Sequence, residues 1–282
     1  MKILNFGSLN IDHVYRVAAF VRPGETISAL SYAKFAGGKG LNQSIALARA
    51  GMTVLHAGRI GTDGLFLKEL LAANGVDCSP LVVCEGEPSG HAVIQVSDSG
   101  ENCIVLFGGA NHHISEVQIK SAMETMSPGD FLLLQNEISA MPGILRAAAA
   151  HRLRIFFNPA PMNRAVFDYP LELVDTFIVN ETEGKSLGAR PGKNVLMTLG
   201  AKGARYFPAD GSHAVSVPAV PVEKVADTTA AGDTFIGYFL AEIAREASPE
   251  QAMRVAARAS ALCISRPGAA ASIPKRTELA VQ

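Results

Sequence analysis

Short apolar segments alternate with helical patterns along most of the chain. The strand-like segments are rich in branched and aromatic residues, and they comprise residues 2–6, 53–57, 131–134, 154–157, 176–179 and 195–198. Helical patterns occupy residues 42–49, 65–73, 115–124 and 142–151. This alternation predicts βαβ units and an α/β fold around a mostly parallel sheet. Ligands of such sheets bind beyond the carboxyl ends of the strands.

Two segments, residues 14–34 and 91–107, alternate instead like antiparallel strands. The second contains a hairpin pattern, with residues 91–96 and 103–106 joined by a polar turn. We interpret them as a small β lobe that projects from the main domain, at about residues 12–37 and 88–110. The lobe is either a lid over an active site or a surface for dimerisation, and both can hold together.

Composition narrows the class of protein. The 282 residues, 48% of them hydrophobic and 18% charged, suffice for one large α/β domain over residues 1–282. The net charge of −1 gives no sequence-wide basic excess for binding nucleic acid. No apolar run approaches the roughly 18–20 residues of a membrane span. The chain therefore predicts neither a nucleic-acid partner nor a membrane partner.

The cysteines and the N-terminus bear on location. Cys78, Cys84, Cys103 and Cys263 form no Cys-x-x-Cys pair and have no ligand-like spacing with histidine. We expect reduced thiols in a cytoplasmic protein. The apolar part of the N-terminus is too short for a signal peptide and is typical of a first strand.

The segment Asp-Thr-Thr-Ala-Ala-Gly-Asp-Thr-Phe at residues 227–235 is the most informative in the chain. An apolar helical pattern follows at once, which predicts a helix that begins near Gly232. Its first N–H groups have no partners inside the helix, and the helix dipole favours an anion there. Ala230, Ala231 and Gly232 leave room for that anion. Asp233 is therefore well placed to take a proton from a hydroxyl that attacks a phosphoryl group.

A glycine-rich motif, Gly-Gly-Lys-Gly-Leu-Asn-Gln-Ser at residues 37–44, opens another helix. Glycine lets a ligand approach the backbone closely, although such a turn is also a common strand-to-helix bend. The motif fits neither the Walker spacing nor the dinucleotide-binding fingerprint.

Polar residues follow several predicted strands. Asn10 and Asp12, two positions apart, share one face of an extended segment and can grip adjacent sugar hydroxyls, or they form an Asx turn. Asn180 and Glu183 suit Mg²⁺ that retains waters, or they cap a helix. The turn at residues 198–203 is either a ligand contact or a simple hairpin, and Glu137 lies at a further strand end. In a parallel sheet these strand ends face the same way.

Together these motifs resemble the ribokinase family of sugar kinases, also called the PfkB family, over residues 5–274. The first family signature resembles residues 37–44, with Gly51 and Gly61 at the expected spacing, and the second resembles residues 227–237. Residues 7–13, 158–161, 180–183, 198–203 and 268–274 are also similar. The resemblance implies a three-layer α/β/α fold with a small β lid that often pairs with a second subunit.

The resemblance also implies roles for individual residues. Asp233 would be the catalytic base, and the N–H groups of Ala231, Gly232 and Asp233 would form an anion hole for the phosphoryl group of ATP. The implied sugar-binding residues are Asn10, Asp12, Gly38, Lys39, Asn42 and Glu137. The implied nucleotide contacts are Asn180, Thr198, Gly200, Gly203, Gly232 and Ala257, and Glu183 would help to place Mg²⁺. The implied K⁺ site comprises Asp227, Thr229, Cys263, Arg266, Gly268 and Ser272, mostly through backbone oxygens.

The chain departs from the family between Glu183 and the strand at residue 195. Residues 184–194 contain three glycines and a proline and predict a poor helix, whereas the family has a full crossover helix there. Either the chain lacks an outer helix, which would expose a sheet face near the nucleotide site, or the sequence is incomplete in this region. Ala257 stands where the family often supplies a polar contact to adenine.

The implied activity is ATP-dependent phosphorylation of a primary hydroxyl of a small sugar, with ribose as the first candidate. The alternatives are a nucleoside or keto-sugar-acid kinase of the same family and a catalytically silent sugar-binding module. The intact Gly232 and Asp233 favour an enzyme, whereas the short segment at 184–194 favours the silent module.

Overall fold

Thirteen strands form two sheets in the computed structural model, which describes residues 1–281. They are β1 (Lys2–Phe6), β2 (Asn10–Arg16), β3 (Ser31–Gly37), β4 (Thr53–Gly61), β5 (Leu81–Cys84), β6 (Gly90–Val96), β7 (Asn102–Phe107), β8 (Phe131–Gln135), β9 (Arg154–Asn158), β10 (Thr176–Asn180), β11 (Asn194–Thr198), β12 (Ala204–Phe207) and β13 (Val215–Val217). The larger sheet has the order β13-β12-β11-β10-β9-β8-β1-β4-β5, in which only the β11-β12 and β12-β13 pairs are antiparallel. The predicted, mostly parallel sheet is confirmed.

Within residues 1–281, seven α-helices cover the two faces of this sheet. They are α1 (Lys39–Arg49), α2 (Leu65–Ala73), α3 (Glu116–Glu124), α4 (Met141–Ala150), α5 (Glu181–Leu187), α6 (Ala231–Ala244) and α7 (Pro249–Ile264). Ile3 belongs to the apolar cluster under α1, α2, α6 and α7, whereas its neighbour Leu4 belongs to the cluster under α3, α4 and α5. Because successive side chains of a strand point to opposite faces, the sheet lies between two helical layers. The fold is the predicted three-layer α/β/α arrangement.

The smaller sheet has the order β3-β2-β6-β7 and forms the predicted β lobe. β6 and β7 are the expected hairpin, with His91 opposite Phe107 in the antiparallel register. β2 also pairs with β3 in antiparallel fashion, and it pairs with β6 in parallel. Asn10 and Asp12 are therefore residues of one strand and point to the same face, and the alternative of an Asx turn does not apply.

Some boundaries differ from those predicted. Helix α1 begins at Lys39 rather than at residue 42, because Gly38, which follows β3 and has a positive φ of 96°, turns the chain directly into the helix. Strand β4 continues to Gly61 rather than stopping at residue 57, because Gly58–Gly61 pair with β5. The helix predicted at 65–73 has the expected bounds.

The short connection after Glu183 contains a single short helix. Residues 181–187 form α5, residues 188–193 form a loop, and β11 then pairs with β10 in parallel, with Asn180 opposite Thr198. Gly184 allows this helix to lie close to the sheet, since a Cβ there would be 2.6 Å from the Met197 Cε. The crossover closes without a longer helix. A mostly apolar groove of about 520 Å³ remains beside the loop, between residues 188–193, Val195, Met197 and residues 207–211.

Within residues 1–281, none of the helices has the length and apolar character required to cross a membrane.

Candidate active site

The N-terminus of α6 presents unpaired backbone donors. Ala230 adopts a left-handed conformation with φ of 60°, and the helix begins at Ala231. The Ala231 N–H donates to the Thr228 carbonyl at 3.3 Å, and the Thr234 N–H donates to the Ala230 carbonyl at 2.8 Å. The N–H groups of Gly232 and Asp233, between them, have no backbone acceptor within the described residues. The positive end of the helix dipole and these two open donors have the character that favours an anion.

Gly232 is exposed at this helix start, and a Cβ placed on it would have no protein atom within 4 Å. The backbone therefore does not require glycine here for packing, and a bound anion can approach the helix closely.

Two amides of α1 hold the carboxylate of Asp233. Asn42 Nδ2 donates to Asp233 Oδ2 at 3.0 Å, and Gln43 Nε2 donates to Oδ1 at 2.8 Å. Burial raises the pKa of Asp233, and Glu137 adds to that rise, while Lys39 and the two amides act in the opposite direction. A carboxylate with a raised pKa is a better proton acceptor than an ordinary surface aspartate. The geometry thus gives Asp233 a fixed position beside the open N–H groups at the start of α6.

Lys39, the first residue of α1, brings a positive charge to the same place. Burial lowers the pKa of its ammonium group, but Asp233, Glu137 and Glu183 more than offset this, and the net pKa is raised. The side chain therefore stays charged and neutralises part of the surrounding acid.

A second group of acids lies towards the small sheet. The Glu137 carboxylate accepts hydrogen bonds from the Ser8 hydroxyl and, at 3.0 Å, from the Lys39 N–H. Burial and the nearby Glu137 raise the pKa of Asp12 to about 6. Asn10 is buried and accepts from Asn111 Nδ2 at 2.8 Å. These groups offer several hydrogen-bonding positions for a polyhydroxylated ligand.

Gly38 is required by the backbone between these groups. A Cβ at this position would lie 3.0 Å from both the Asn10 nitrogen and the Ser8 carbonyl oxygen. Its left-handed conformation also favours glycine.

A cavity of about 200 Å³ connects the helix start to the carboxyl ends of β9, β10 and β11. It is lined by Lys39, Asn158, Ala160, Ile178, Val179, Asn180, Glu183, Thr198, Thr228, Ala230, Ala231, Gly232, Asp233 and Ile236. Most of the residues predicted for the anion hole, the nucleotide contacts and Mg²⁺ therefore line one cavity, as expected for the carboxyl edge of a parallel sheet.

The predicted nucleotide contacts differ in their placement. Asn180 and Glu183 line the cavity and also form a capping box, in which Glu183 N–H donates to Asn180 Oδ1 and Asn180 N–H donates to Glu183 Oε2. Both interpretations of this pair are thus compatible with the structure. Gly200 and Gly203 belong to the tight turn between the antiparallel strands β11 and β12, outside the cavity lining. Ala257 is buried in the apolar core on α7.

The residues predicted for the cation site lie close together beside the start of α6. Asp227 Oδ1 accepts from the N–H and hydroxyl of Thr229 at 2.9 and 2.6 Å, and Oδ2 accepts from the Gly268 N–H at 3.1 Å. Burial opposes ionisation, but these hydrogen bonds hold the pKa of Asp227 below its usual value. The carboxylate therefore ties two loops together.

Cys263 and Ser272 complete this group. Cys263 Sγ lies 3.8 Å from the Thr229 carbonyl oxygen and 3.1 Å from Ser272 Oγ. Arg266 directs its guanidinium away, to Glu278 at 2.6 Å, while its N–H donates to the Cys263 carbonyl. Residues 1–281 contain no cluster of three or more His, Cys, Asp or Glu side chains suited to a metal. The donors that this group of residues offers are mostly backbone and hydroxyl oxygens, which are the kind of donor that hard cations prefer.

Several residues in or beside the site received no role from the sequence. Gln43 holds Asp233, Ser8 holds Glu137, Asn111 holds Asn10, and Asn158 lines the cavity. Gln43 and Asn158 lie within motifs recognised in the sequence, so their position was a usable signal. Asn111 has none, because it reaches Asn10 only through the tertiary packing of two distant segments.

A fixed carboxylate beside open N–H groups, with hydroxyl-binding polar groups on one side and a cavity on the other, defines a phosphotransferase with an alcohol group as acceptor. The model of the pfkB family of carbohydrate kinases matches residues 1–276, and the chain belongs to this family.

Known ribokinases are similar to nearly the whole chain in sequence and in structure. The chain is 35% identical to the ribokinase of Haemophilus influenzae, with 96% of this chain and 95% of that protein covered. A crystal structure of ribokinase from Cryptococcus neoformans in complex with ADP superposes with a TM-score of 0.87 at 33% identity, covering 99% of this chain and 98% of that one. The structure of Arabidopsis thaliana ribokinase complexed with ribose and ATP gives 0.84 at 29% identity, covering 99% and 97%.

Proposed function

We propose that the protein transfers the γ-phosphate of ATP to the primary hydroxyl of ribose. The observation that carries the proposal is the Asp233 carboxylate, held by Asn42 and Gln43 beside the open N–H groups of Gly232 and Asp233. The relatives that cover the whole chain support the substrates, since one is a ribokinase complexed with ribose and ATP.

In the proposed reaction, Asp233 accepts the proton of the attacking hydroxyl while the oxygen forms its bond to the γ-phosphorus. The bond from phosphorus to the bridging oxygen of ADP breaks as this happens. The N–H groups of Gly232 and Asp233, with Ala231 completing the turn, stabilise the charge on the transferred group. The ammonium group of Lys39 lines the same cavity and lowers the electrostatic cost of bringing in the phosphates.

On the sugar side, the ribose hydroxyls would form hydrogen bonds with Asn10, Asp12 and Glu137. Asn42 would form a further hydrogen bond with the sugar beside Asp233. Gly38 would leave room for the ring. Burial, with a smaller contribution from nearby Glu137, raises the pKa of Asp12, and the proximity of the two carboxylates supports their joint use.

On the nucleotide side, Asn180 and Thr198 would contact the phosphates from the edge of the cavity, and the turn at Gly200 and Gly203 would border the nucleoside. Ala257, which is buried, would contribute only apolar surface beneath the adenine. Glu183 fits Mg²⁺ held through retained waters, because one of its oxygens is not used in the capping box. That ion would supply charge neutralisation between the phosphates.

A monovalent cation, K⁺ by preference, would sit among the oxygens of Asp227, Thr229, Cys263, Gly268 and Ser272. Arg266 would contribute only its backbone, because its side chain pairs with Glu278. The ion would stabilise the loop that carries the helix start and would touch neither substrate.

We further propose one kinase domain that forms a homodimer through the small sheet and works in the cytoplasm. The family match over residues 1–276 supports a single domain. Apolar side chains on β7 support pairing, since Ile104, Val105, Leu106 and Phe107 are all more than half exposed. A cytoplasmic location is supported by the proposed use of ATP and by the four free cysteines.

The test is ATP consumption with a panel of ribose, deoxyribose, hexoses and nucleosides, followed by identification of the phosphorylated position. Ribose should give the highest kcat/KM, with the phosphate on its primary hydroxyl. Preference for a nucleoside would assign the chain to a different substrate within the family. No turnover with any acceptor would remove the kinase proposal and leave a sugar-binding protein.

A further inference from the structure

A row of fully buried polar side chains leads from the core to Asp233. Asn5, Gln43, Ser44, His56 and Gln135 each have 0% exposure. They lie between β1, β4, β8 and the inner face of α1, where apolar packing would be the ordinary arrangement. Burying an amide is costly unless its hydrogen bonds are made.

The hydrogen bonds of this row are directional. Asn5 Nδ2 donates to the Gly40 carbonyl at 2.7 Å and to Ser44 Oγ at 2.8 Å, which leaves Asn5 Oδ1 facing Gln135. Gln135 Nε2 donates to Asn5 Oδ1 at 2.9 Å and to Gln43 Oε1 at 2.7 Å. Ser44 Oγ in turn lies 2.7 Å from His56 Nδ1.

These bonds determine which end of Gln43 faces the carboxylate. Because Gln43 Oε1 accepts from Gln135, its Nε2 is directed at Asp233 Oδ1, 2.8 Å away, and at Asn158 Oδ1, 3.3 Å away. The opposite orientation would set an amide oxygen against the carboxylate and an amide nitrogen against the donor of Gln135. Gln135 therefore selects the orientation that stabilises ionised Asp233.

The row is not fully satisfied. Gln135 Oε1 and His56 Nε2 are buried without a hydrogen-bond partner in the described part of the chain. A partly satisfied polar network stabilises a fold less than an apolar core would. The row ends at Asp233, where its hydrogen bonds orient Gln43, and this placement points to a role in the site.

We propose that Gln43 is a positioning residue that sets the orientation and proton affinity of Asp233, and that Gln135 and Asn5 act on Asp233 only through Gln43. The proposal rests on the proposed function, in which Asp233 is the base. The other charged groups that face Asp233 are Lys39 on α1 and Glu137 after β8, and Glu183 faces Lys39. None of them is altered in the test below.

The test measures kcat as a function of pH at saturating ribose and ATP, which reports groups in the substrate complex. Gln43→Met and Gln135→Met keep the volume and remove the amide. Losing one hydrogen bond to an ionised carboxylate raises the pKa of that carboxylate. The acid limb of the profile, where kcat falls as Asp233 is protonated, should therefore move up by about one pH unit in Gln43→Met. Gln135→Met should give a smaller upward shift and should add nothing in the double variant.

Gln118→Met is the matched control, because Gln118 is also a buried amide with hydrogen bonds to Gly58, Pro80 and Arg59 but lies outside the row. It should leave the acid limb in place whatever it does to the melting temperature. Where Gln135→Met fails to fold, Gln43→Asn carries the same test, since its shorter amide cannot reach both Gln135 and Asp233.

The outcomes separate the two proposals. A wild-type protein without turnover overturns the proposed function. A wild-type kinase whose acid limb stays in place in Gln43→Met, or whose Gln135 and Gln43 shifts add in the double variant, overturns the positioning role alone.

Discussion

Replacing Gly232 by alanine separates the stability of the helix start from its proposed use. Gly232 lies in the first turn of α6, is not among the positive-φ glycines, and would carry a Cβ with no protein atom within 4 Å. The folded chain can therefore accept the methyl group. Alanine is the better helix former by about 0.8–1 kcal/mol in a helix interior, and a first-turn position gives at most that gain. We expect the melting temperature of Gly232→Ala to be unchanged or to rise by up to about 4 °C.

The same methyl group should damage catalysis. It would occupy space in the cavity in front of the Gly232 and Asp233 N–H groups, where the transferred phosphoryl group is proposed to bind. A methyl group that keeps the phosphoryl group away from one N–H has the effect of losing that donor, and the loss of one such donor costs about 10²–10³ in kcat. We therefore expect kcat to fall by at least about 10²-fold. Ribose is proposed to bind on the other side of Asp233, so its dissociation constant should change little.

The assay is coupled ADP release with ribose, together with thermal melting and calorimetric ribose binding. Gly143→Ala in the first turn of α4 is the matched control, because its Cβ would make only an ordinary 3.5 Å contact with Ile119. That variant should gain similar stability and retain full kcat. A Gly232→Ala enzyme with wild-type kcat would refute the anion-hole assignment.

Four further predictions test other parts of the protein. The pKa of Asp12 is raised to about 6, so below that pH its carboxyl is protonated and accepts hydrogen bonds from ribose less well. The kcat/KM for ribose should therefore fall as the pH drops through about 6. Asp12→Asn should have a kcat/KM for ribose that is at least about tenfold lower and does not fall near pH 6. A fall near pH 6 that persists in Asp12→Asn would contradict the role of Asp12 as an acceptor for ribose. The folded pKa exceeds the unfolded value of 3.8, so unfolding free energy should also decline from about pH 4 to 6, a slope that Asp12→Asn should remove in urea titrations. Activity should be higher in K⁺ than in a large organic cation, and Asp227→Asn should reduce that difference; equal rates in both salts for the wild type would count against the cation site. Val105→Glu with Leu106→Glu should convert a dimer into a monomer by light scattering, and an unchanged mass would place the interface elsewhere.

Local sequence patterns predicted much of the fold, and they singled out Asp233 as the carboxylate at the start of α6. The small residues before the apolar face of α6 indicated both the helix start and the open N–H groups, because those depend on neighbouring residues. The bounds of α2 followed from its periodicity alone. The strand alternation at residues 91–107 likewise indicated a hairpin in the small sheet.

What the sequence did not show depends on tertiary contacts. Gln135 ends a strand that is otherwise purely apolar, and its bond to Gln43 spans 92 positions along the chain. The extra length of β4 depends on β5, which no strong local pattern predicted. The raised pKa of Asp12 requires burial beside Glu137, which lies 125 positions away in number and becomes a neighbour only when β2 packs near the end of β8.

The proposed function requires Asp233 to deprotonate the primary hydroxyl of ribose beside the start of α6. The most direct measurement compares phosphorylation of ribose by ATP in the wild type and in Asp233→Asn, by phosphorus NMR, with ribose affinity measured by calorimetry. The wild type should place the phosphate on the primary hydroxyl. Asp233→Asn should have a kcat reduced by at least about 10²-fold, with ribose binding largely retained. An Asp233→Asn enzyme that phosphorylates ribose at the wild-type rate would show that Asp233 is not the base.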